Sequence, residues 1–209
     1  MNLTTQREHA IALPRGGEQS LLATNKVIRN TYLLLSMTLA FSAVVAGISV
    51  ALKLPHPGII PTLVGFFGLL FGITKMRNSA MAIPLVFVLT GFMGYTLGPV
   101  INRYLGMPNG GEIVMQAMGG TAAIFIGLSS YAVTTKKDFS FMDGFLMVGI
   151  LTAFVLGIVA LVFSLPTLSL AVSGLFVLLM AGLILYQTGE IVNGVETNYI
   201  HATVTLYVS

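Results

Sequence analysis

An all-α protein built into a membrane is the fold class this sequence predicts, and three observations predict it. Of 209 residues, 56% are hydrophobic and only 8% are charged, against about 25% charged in soluble domains. Mean hydropathy is +0.92. The apolar residues also gather into uninterrupted runs long enough to cross a bilayer, whose hydrocarbon core of about 30 Å needs roughly 20 helical residues. Ten Lys/Arg and seven Asp/Glu are too few to cover a surface facing water. A membrane barrel would instead show short segments of alternating polarity.

Residues 1–21 include Arg7, Glu8, His9, Pro14, Arg15, Gly16, Gly17 and Glu18. Such a composition builds no core, and a disordered tail is expected there, followed by a bundle over 22–209. The first apolar run begins too far along the chain for a cleaved signal peptide, so it reads as an uncleaved signal anchor. Six complete spans are expected at 32–54, 58–74, 80–101, 113–135, 141–165 and 167–192. A seventh starts near Tyr199 with Ile200, Ala202, Val204, Leu206, Tyr207 and Val208. Its run of about 11 residues to Ser209 is too short to span, so the seventh is expected to be incomplete.

Lys and Arg set the orientation. Eight lie in the tail and the even-numbered turns: Arg7, Arg15, Lys26, Arg29, Lys75, Arg77, Lys136 and Lys137. Only Lys53 and Arg103 lie on the other face. The tail is therefore expected in the cytoplasm. These cations are scattered at the ends of apolar runs, which marks topology and not a nucleic-acid patch.

Within lipid, small residues supply helix packing by close backbone approach. Gly68/Gly72, Gly94/Gly98, Gly119/Ala123/Gly127 and Gly149/Ala153/Gly157 each lie four apart on one helix face. A tightly packed monomeric bundle or a dimer through one such face both fit. Pro61, Pro84 and Pro99 are expected to remove intrahelical bonds and kink their spans.

The chain has no cysteine, which removes thiolate nucleophiles and Cys-based metal sites. His9, His56 and His201 have no second ligand at metal spacing. Ser129-Ser130 and Ser169 lie in no Gly-x-Ser-x-Gly elbow. No enzyme and no cofactor are expected. Polar groups at membrane depth are the remaining candidates. Gln116 lies near the outer end of the fourth span, and Asp143 opens the fifth, where a carboxylate favours a helix N-terminus. Gln187 and Glu190 stand three apart near the inner end of the sixth, hence on one face. Asn102, Arg103 and Glu112 are expected to form an interfacial pairing across an outer turn.

Two stretches carry a family resemblance. Gly91-Phe-Met-Gly-Tyr-Thr-Leu-Gly-Pro-Val-Ile101, followed by Ile113-Val-Met-Gln-Ala-Met-Gly-Gly-Thr-Ala122, resembles the Bax-inhibitor (TMBIM) superfamily of seven-span proteins. In it Gly91, Gly94, Gly98, Pro99, Gly119 and Gly120 are the positions for helix packing. The run from Gly194 to Ser209, with Asn25–Tyr32 and Thr134–Ser140, is similar to the bacterial YccA-like branch. The resemblance implies a place in the bacterial inner membrane beside the FtsH protease and its partners HflK/HflC. It implies a modulator and slow substrate that also protects a jammed SecY translocon, with the tail residues Met1, Arg7 and Arg15 as the protease's handle. Other branches are proposed calcium leaks, gated by two carboxylates that share a proton. Those positions correspond here to Gln187 and Ser209, neither a carboxylate, with Glu190 one turn from the first; a pH-modulated calcium or cation leak, with Gln187, Glu190, Asp143 and Ser209 as its ion-path or sensor residues, is the alternative function the resemblance implies.

The charge count is testable because the chain contains no cysteine. Single cysteines introduced at Ser79 and Asn109 are expected to react with an impermeant maleimide from opposite sides of a sealed membrane. Reaction from one side would refute the topology.

Overall fold

The computed structural model describes residues 15–209. The described chain is helical throughout: α1 (Arg15–Ala51), α2 (Ile59–Met76), α3 (Ala82–Leu105), α4 (Gly110–Thr135), α5 (Asp143–Val162), α6 (Pro166–Val192) and α7 (Tyr199–Val208). A single 3-10 turn, Ser140–Met142, leads into α5. There is no strand among the described residues. By length and composition α1 to α6 can each cross a membrane, α1 over Leu22–Ala51.

Element bounds follow the apolar runs except at the start. α1 begins at Arg15, inside the stretch expected as tail; residues 1–14, with Met1 and Arg7, lie outside the described residues. From residue 22 onward the helix ahead of the expected span is amphipathic. Val27, Ile28 and Tyr32 pack against a buried cluster of α1, α6 and α7, while Lys26 and Arg29 stay exposed.

The prolines divide differently from expectation. Pro61 and Pro84 are the third residues of α2 and α3, where a backbone N–H has no intrahelical acceptor to lose. They open helices and break none. Pro99 alone lies inside a helix. Between α4 and α5, Asp138 accepts the Ser140 backbone N–H at 2.8 Å. That bond, and a second from the Ser140 hydroxyl, hold its exposed carboxyl below the usual carboxylate range.

α1 is the axis of the bundle. It packs most extensively on α3, then on α7, with a smaller contact to α6. α5 and α4 dock on α6, and α2 docks on α3. One core cluster joins Leu34 of α1, Ile73 of α2, Val86 and Leu89 of α3, and Ile200 and Val204 of α7. A second joins Leu35, Ile191, Ala202 and Leu206. α7 is thus buried on opposite faces, with Ile200 and Val204 on one and Ala202 and Leu206 on the other. Outward-facing residues are large and apolar, among them Phe71, Phe145, Leu170 and Leu178. Acyl chains solvate such a surface at no cost.

The glycine faces separate into two kinds. Gly94 and Gly98 meet α1, Gly149 meets Leu179, and Gly157 meets Val172. Around Gly68, Gly72, Gly119, Gly120 and Gly127 no group lies within 4 Å of a would-be Cβ. The packing expected at Gly119 and Gly120 is not made, because α4 touches its neighbours mainly at Gly110 and at Ser129 and Ala132. Most residues between 111 and 124 are exposed.

Leu179 fills the notch at Gly149, where an added Cβ would lie 2.6 Å from its Cδ2. Gly149→Leu is expected to part α5 from α6 and lower stability by about 2–3 kcal/mol, measured by denaturation in mixed micelles. Gly68→Leu, facing open space, should cost under about 0.5 kcal/mol.

Candidate functional site

Two regions hold polar groups inside the bundle. The first is a stripe along α1. Thr31, Thr38, Ser42 and Ser49 are all buried at spacings of seven, four and seven, which keeps them on one helical face. They extend about 27 Å at 1.5 Å per residue, nearly the full hydrocarbon thickness.

Three hydroxyls of the stripe have a partner on α3 or α7 or turn back on their own helix, whereas the Thr31 hydroxyl is buried with no hydrogen-bond partner among the described residues. Thr38 donates to the Leu35 carbonyl at 2.9 Å. Ser42 pairs with the Tyr207 hydroxyl at 2.7 Å, and Tyr207 donates to the Thr90 carbonyl at 3.4 Å. Thr203 of α7 donates to the Tyr199 carbonyl at 2.7 Å and to the Thr31 carbonyl at 3.3 Å. Tyr32 and Thr188 pair at 3.4 Å between α1 and α6. Where water is absent, such bonds give specificity that apolar packing cannot, at about 0.6 kcal/mol each.

The part of the stripe nearest the end of α1 explains the Gly91–Ile101 stretch. A proline at 99 has no N–H, so the Tyr95 carbonyl loses its i+4 partner. The Ser49 hydroxyl, reaching across from α1, donates to that carbonyl at 3.0 Å. It can reach because Gly98 has no side chain; a Cβ there would overlap the Ser49 hydroxyl. At Gly94 a Cβ would overlap the Ser42 carbonyl, and at Gly91 it would come within 2.8 Å of the Phe41 ring. Phe41 in turn meets Phe87 edge-on, with centroids 5.5 Å apart. Beyond the proline, Asn102 Nδ2 donates to the Val50 carbonyl at 3.0 Å. Tyr95 Oη donates to the Pro55 carbonyl at 2.8 Å.

The second region lies at the opposite ends of the helices. Glu190 sits within electrostatic reach of Asp138, Asp143 and Glu196, so the structure brings Glu190 and Asp143 into one neighbourhood. Gln187 is one turn further along α6. Ser209 is not part of this group: its hydroxyl donates to Thr205 in its own helix at 2.6 Å. It lies about 15 Å along α7 from Tyr199, whereas Gln187 is about 8 Å from the end of α6. Neither Gln187 nor Ser209 is a carboxylate, and the Ser209 hydroxyl is satisfied by the Thr205 carbonyl. Arg15 is the first residue of α1.

Asparagines and a Glu196–His201 hydrogen bond clasp the same end. Asn198 caps α7 by accepting the Ile200 and His201 backbone N–H groups at 3.0 and 3.1 Å. Its Nδ2 donates to the Arg77 carbonyl at 3.2 Å and to Asn78 Oδ1 at 3.0 Å, in the α2–α3 turn. Glu196 accepts the Asn198 N–H at 2.7 Å and pairs with His201 at 2.6 Å. Asn193 donates to the Lys137 carbonyl in the α4–α5 loop at 3.1 Å. The α6–α7 connection thus ties both neighbouring turns together. The expected pairing of Arg103 with Glu112 is not formed: Glu112 accepts from Gln116 at 3.1 Å, one turn along α4, and Asn102 is held by Val50.

Sequence reading missed Ser42, Ser49, Thr203 and Tyr207. The available signal was the seven-four-seven spacing of hydroxyls on α1, opposite a glycine-proline pair that needs an outside donor.

A polytopic helical membrane protein, with a short enclosed α7 at its centre and an interlocked α1 and α3, is the class these features define. Residues 24–209 match the family described as Inhibitor of apoptosis-promoting Bax1, and the chain belongs to that Bax-inhibitor family. An Escherichia coli protein named modulator of FtsH protease YccA is 52% identical over 193 residues, covering 91% of this chain and 86% of that protein. The counterpart from a second Escherichia coli strain, matching to the same extent, is named inner membrane protein YccA. A Pseudomonas aeruginosa protein is 51% identical over 183 residues, 88% of this chain and 82% of its own length.

The carbonyl freed by Pro99 makes a double-mutant cycle informative. Ser49→Ala alone should cost about 1–3 kcal/mol, because it strands a buried acceptor. In a Pro99→Ala background, where the helix supplies its own N–H, the same change should cost under about 1 kcal/mol. Equal costs in both backgrounds, measured by reversible denaturation in mixed micelles, would show that Ser49 does not serve that carbonyl.

Proposed function

We propose that this chain is a membrane-embedded partner and modulator of the FtsH protease, acting with HflK/HflC as a slowly processed client. The observation that carries the proposal is 52% identity, over most of both chains, to a relative named modulator of FtsH protease. The reading places the protein in the inner membrane with its N-terminus and the clasped α6–α7 connection facing the cytoplasm. α7 serves as the start of a seventh span.

The mechanism follows from what a ring-shaped ATPase needs. It must first engage a segment that it can thread, on the side where its ATPase domain lies. The turns at 77–81 and 136–139 are too short to reach a pore held away from the bilayer, since an extended residue covers at most about 3.6 Å. The residues ahead of α1, with Met1 and Arg7, are the handle, and Arg15 marks where the helix takes over. Drawing on this end loads α1, the axis of the bundle, before any other element. A client that yields slowly occupies the protease and spares others, a jammed SecY translocon among them.

Deleting residues 2–14 leaves α1 whole. It is expected to lengthen the protein's half-life several-fold in cells containing the protease, with membrane insertion unchanged, as followed by pulse-chase. A half-life equal to that of the full chain removes the handle. Failure of the full chain to co-purify with the protease from mild detergent removes the partnership.

A further inference from the structure

We propose that the α1–α3 seam is the element that sets how fast this chain can be drawn out of the membrane from its N-terminal end. The inference rests on the reading that a protease pulls there, and it locates the resistance that makes the client slow.

The seam's contacts advance together along both helices. Phe41 faces Gly91, Ser42 faces Gly94 and Ser49 faces Gly98, and Val50 accepts from Asn102. α1 and α3 therefore run parallel and side by side. A pull along the axis of α1 loads these contacts in shear, so they must yield together and cannot be peeled one by one. All of them lie in the half of α1 remote from Arg15, and the Tyr95–Pro55 bond fastens the turn beyond its far end. The whole helix is thus held from behind.

Two details make the seam hard to slip. The Ser42 carbonyl and the Ser49 hydroxyl sit in notches where a Cβ on α3 would overlap them, so α1 cannot slide without lifting out of both. When Ser49 leaves, the Tyr95 carbonyl loses its donor, and its own helix offers no replacement because residue 99 is proline. The α5–α6 contact around Leu179 makes no comparable claim on α1 and is not loaded by the first pull.

The test uses the full chain in proteoliposomes with the purified protease and ATP. It compares the Ser49→Ala/Asn102→Ala double variant with Leu179→Ala, a destabilising change outside the seam. The seam variant is expected to be degraded about fivefold faster than wild type, with Leu179→Ala within about twofold. Equal acceleration by both variants, or none by the seam variant, overturns the proposal. Single-molecule pulling from the N-terminus in bicelles gives a reading that needs no protease. There the first rupture force should fall for the seam variant and stay unchanged for Leu179→Ala; equal forces for the two variants would refute the seam as the point of resistance. If the protease leaves the wild-type chain untouched, the functional reading fails, and the pulling measurement alone decides whether α1–α3 is where the chain resists.

Discussion

A backbone carbonyl inside a bilayer must find a donor within the protein, because acyl chains offer none. At Tyr95 this requirement organises two helices at once. Pro99 removes the local donor, Gly98 opens the approach, and Ser49 arrives from α1 to close the bond. The glycines, the proline and the serine make sense only as a set. α3 could not keep its proline without α1 beside it, and α1 could not come so near if α3 carried side chains at 94 and 98.

The same constraint accounts for what is buried. In a soluble core the largest apolar residues are inside. Here many of the enclosed positions are small or hydroxyl-bearing, such as Thr31, Thr38, Ser49, Ala82, Thr90, Ala153, Thr188, Ala202 and Thr203, while many of the phenylalanines face outward. Lipid and side chain are equally apolar, so burying a phenylalanine gains little. Closer approach and hydrogen bonds that lipid cannot offer decide the interior. α7 takes its central place for this reason: Thr203 and Tyr207 bond to α1, and Tyr207 also to α3, while Ala202 leaves room for its neighbours.

Six apolar runs were legible in the sequence because each is continuous and ends at charge, proline or glycine, and the matching helices begin and end within a few residues of them. The start of α1 was not, since Lys26 and Arg29 interrupt the run; only in three dimensions do Val27 and Ile28 gain a partner surface. Pro61 and Pro84 were misread because a proline's effect depends on where its helix begins, and helix starts are the least determined feature of a pattern. Gly119 and Gly94 look alike in sequence, yet one faces open space and the other Ser42, a difference set by tertiary docking. At the candidate site, the nearness of Glu190 to Asp143 followed from Asp143 opening α5 and Glu190 lying near the end of α6, at one end of the bundle. Ser49 and Tyr207 could not be found from residue type alone, because a serine or tyrosine in a span becomes meaningful only once its partner on another helix is known.

The helices are also unequal in height. α2 has 18 residues and the candidate span of α1, which includes Lys26 and Arg29, has 30, or about 27 and 45 Å, against a hydrocarbon core near 30 Å. The first turns of α1, with Lys26 and Arg29 exposed, extend past the core, whereas α2 leaves it slightly short. Lipids against the exposed Phe67 and Phe71 of α2 must therefore compress while those along α1 do not. Mismatch of this kind costs fractions of a kcal/mol per Å, so the protein carries a lopsided annulus whose thin side is fixed relative to its helices. Bilayer thickness, varied through acyl-chain length, thereby becomes a variable to which the seat of α2 in the bilayer is coupled.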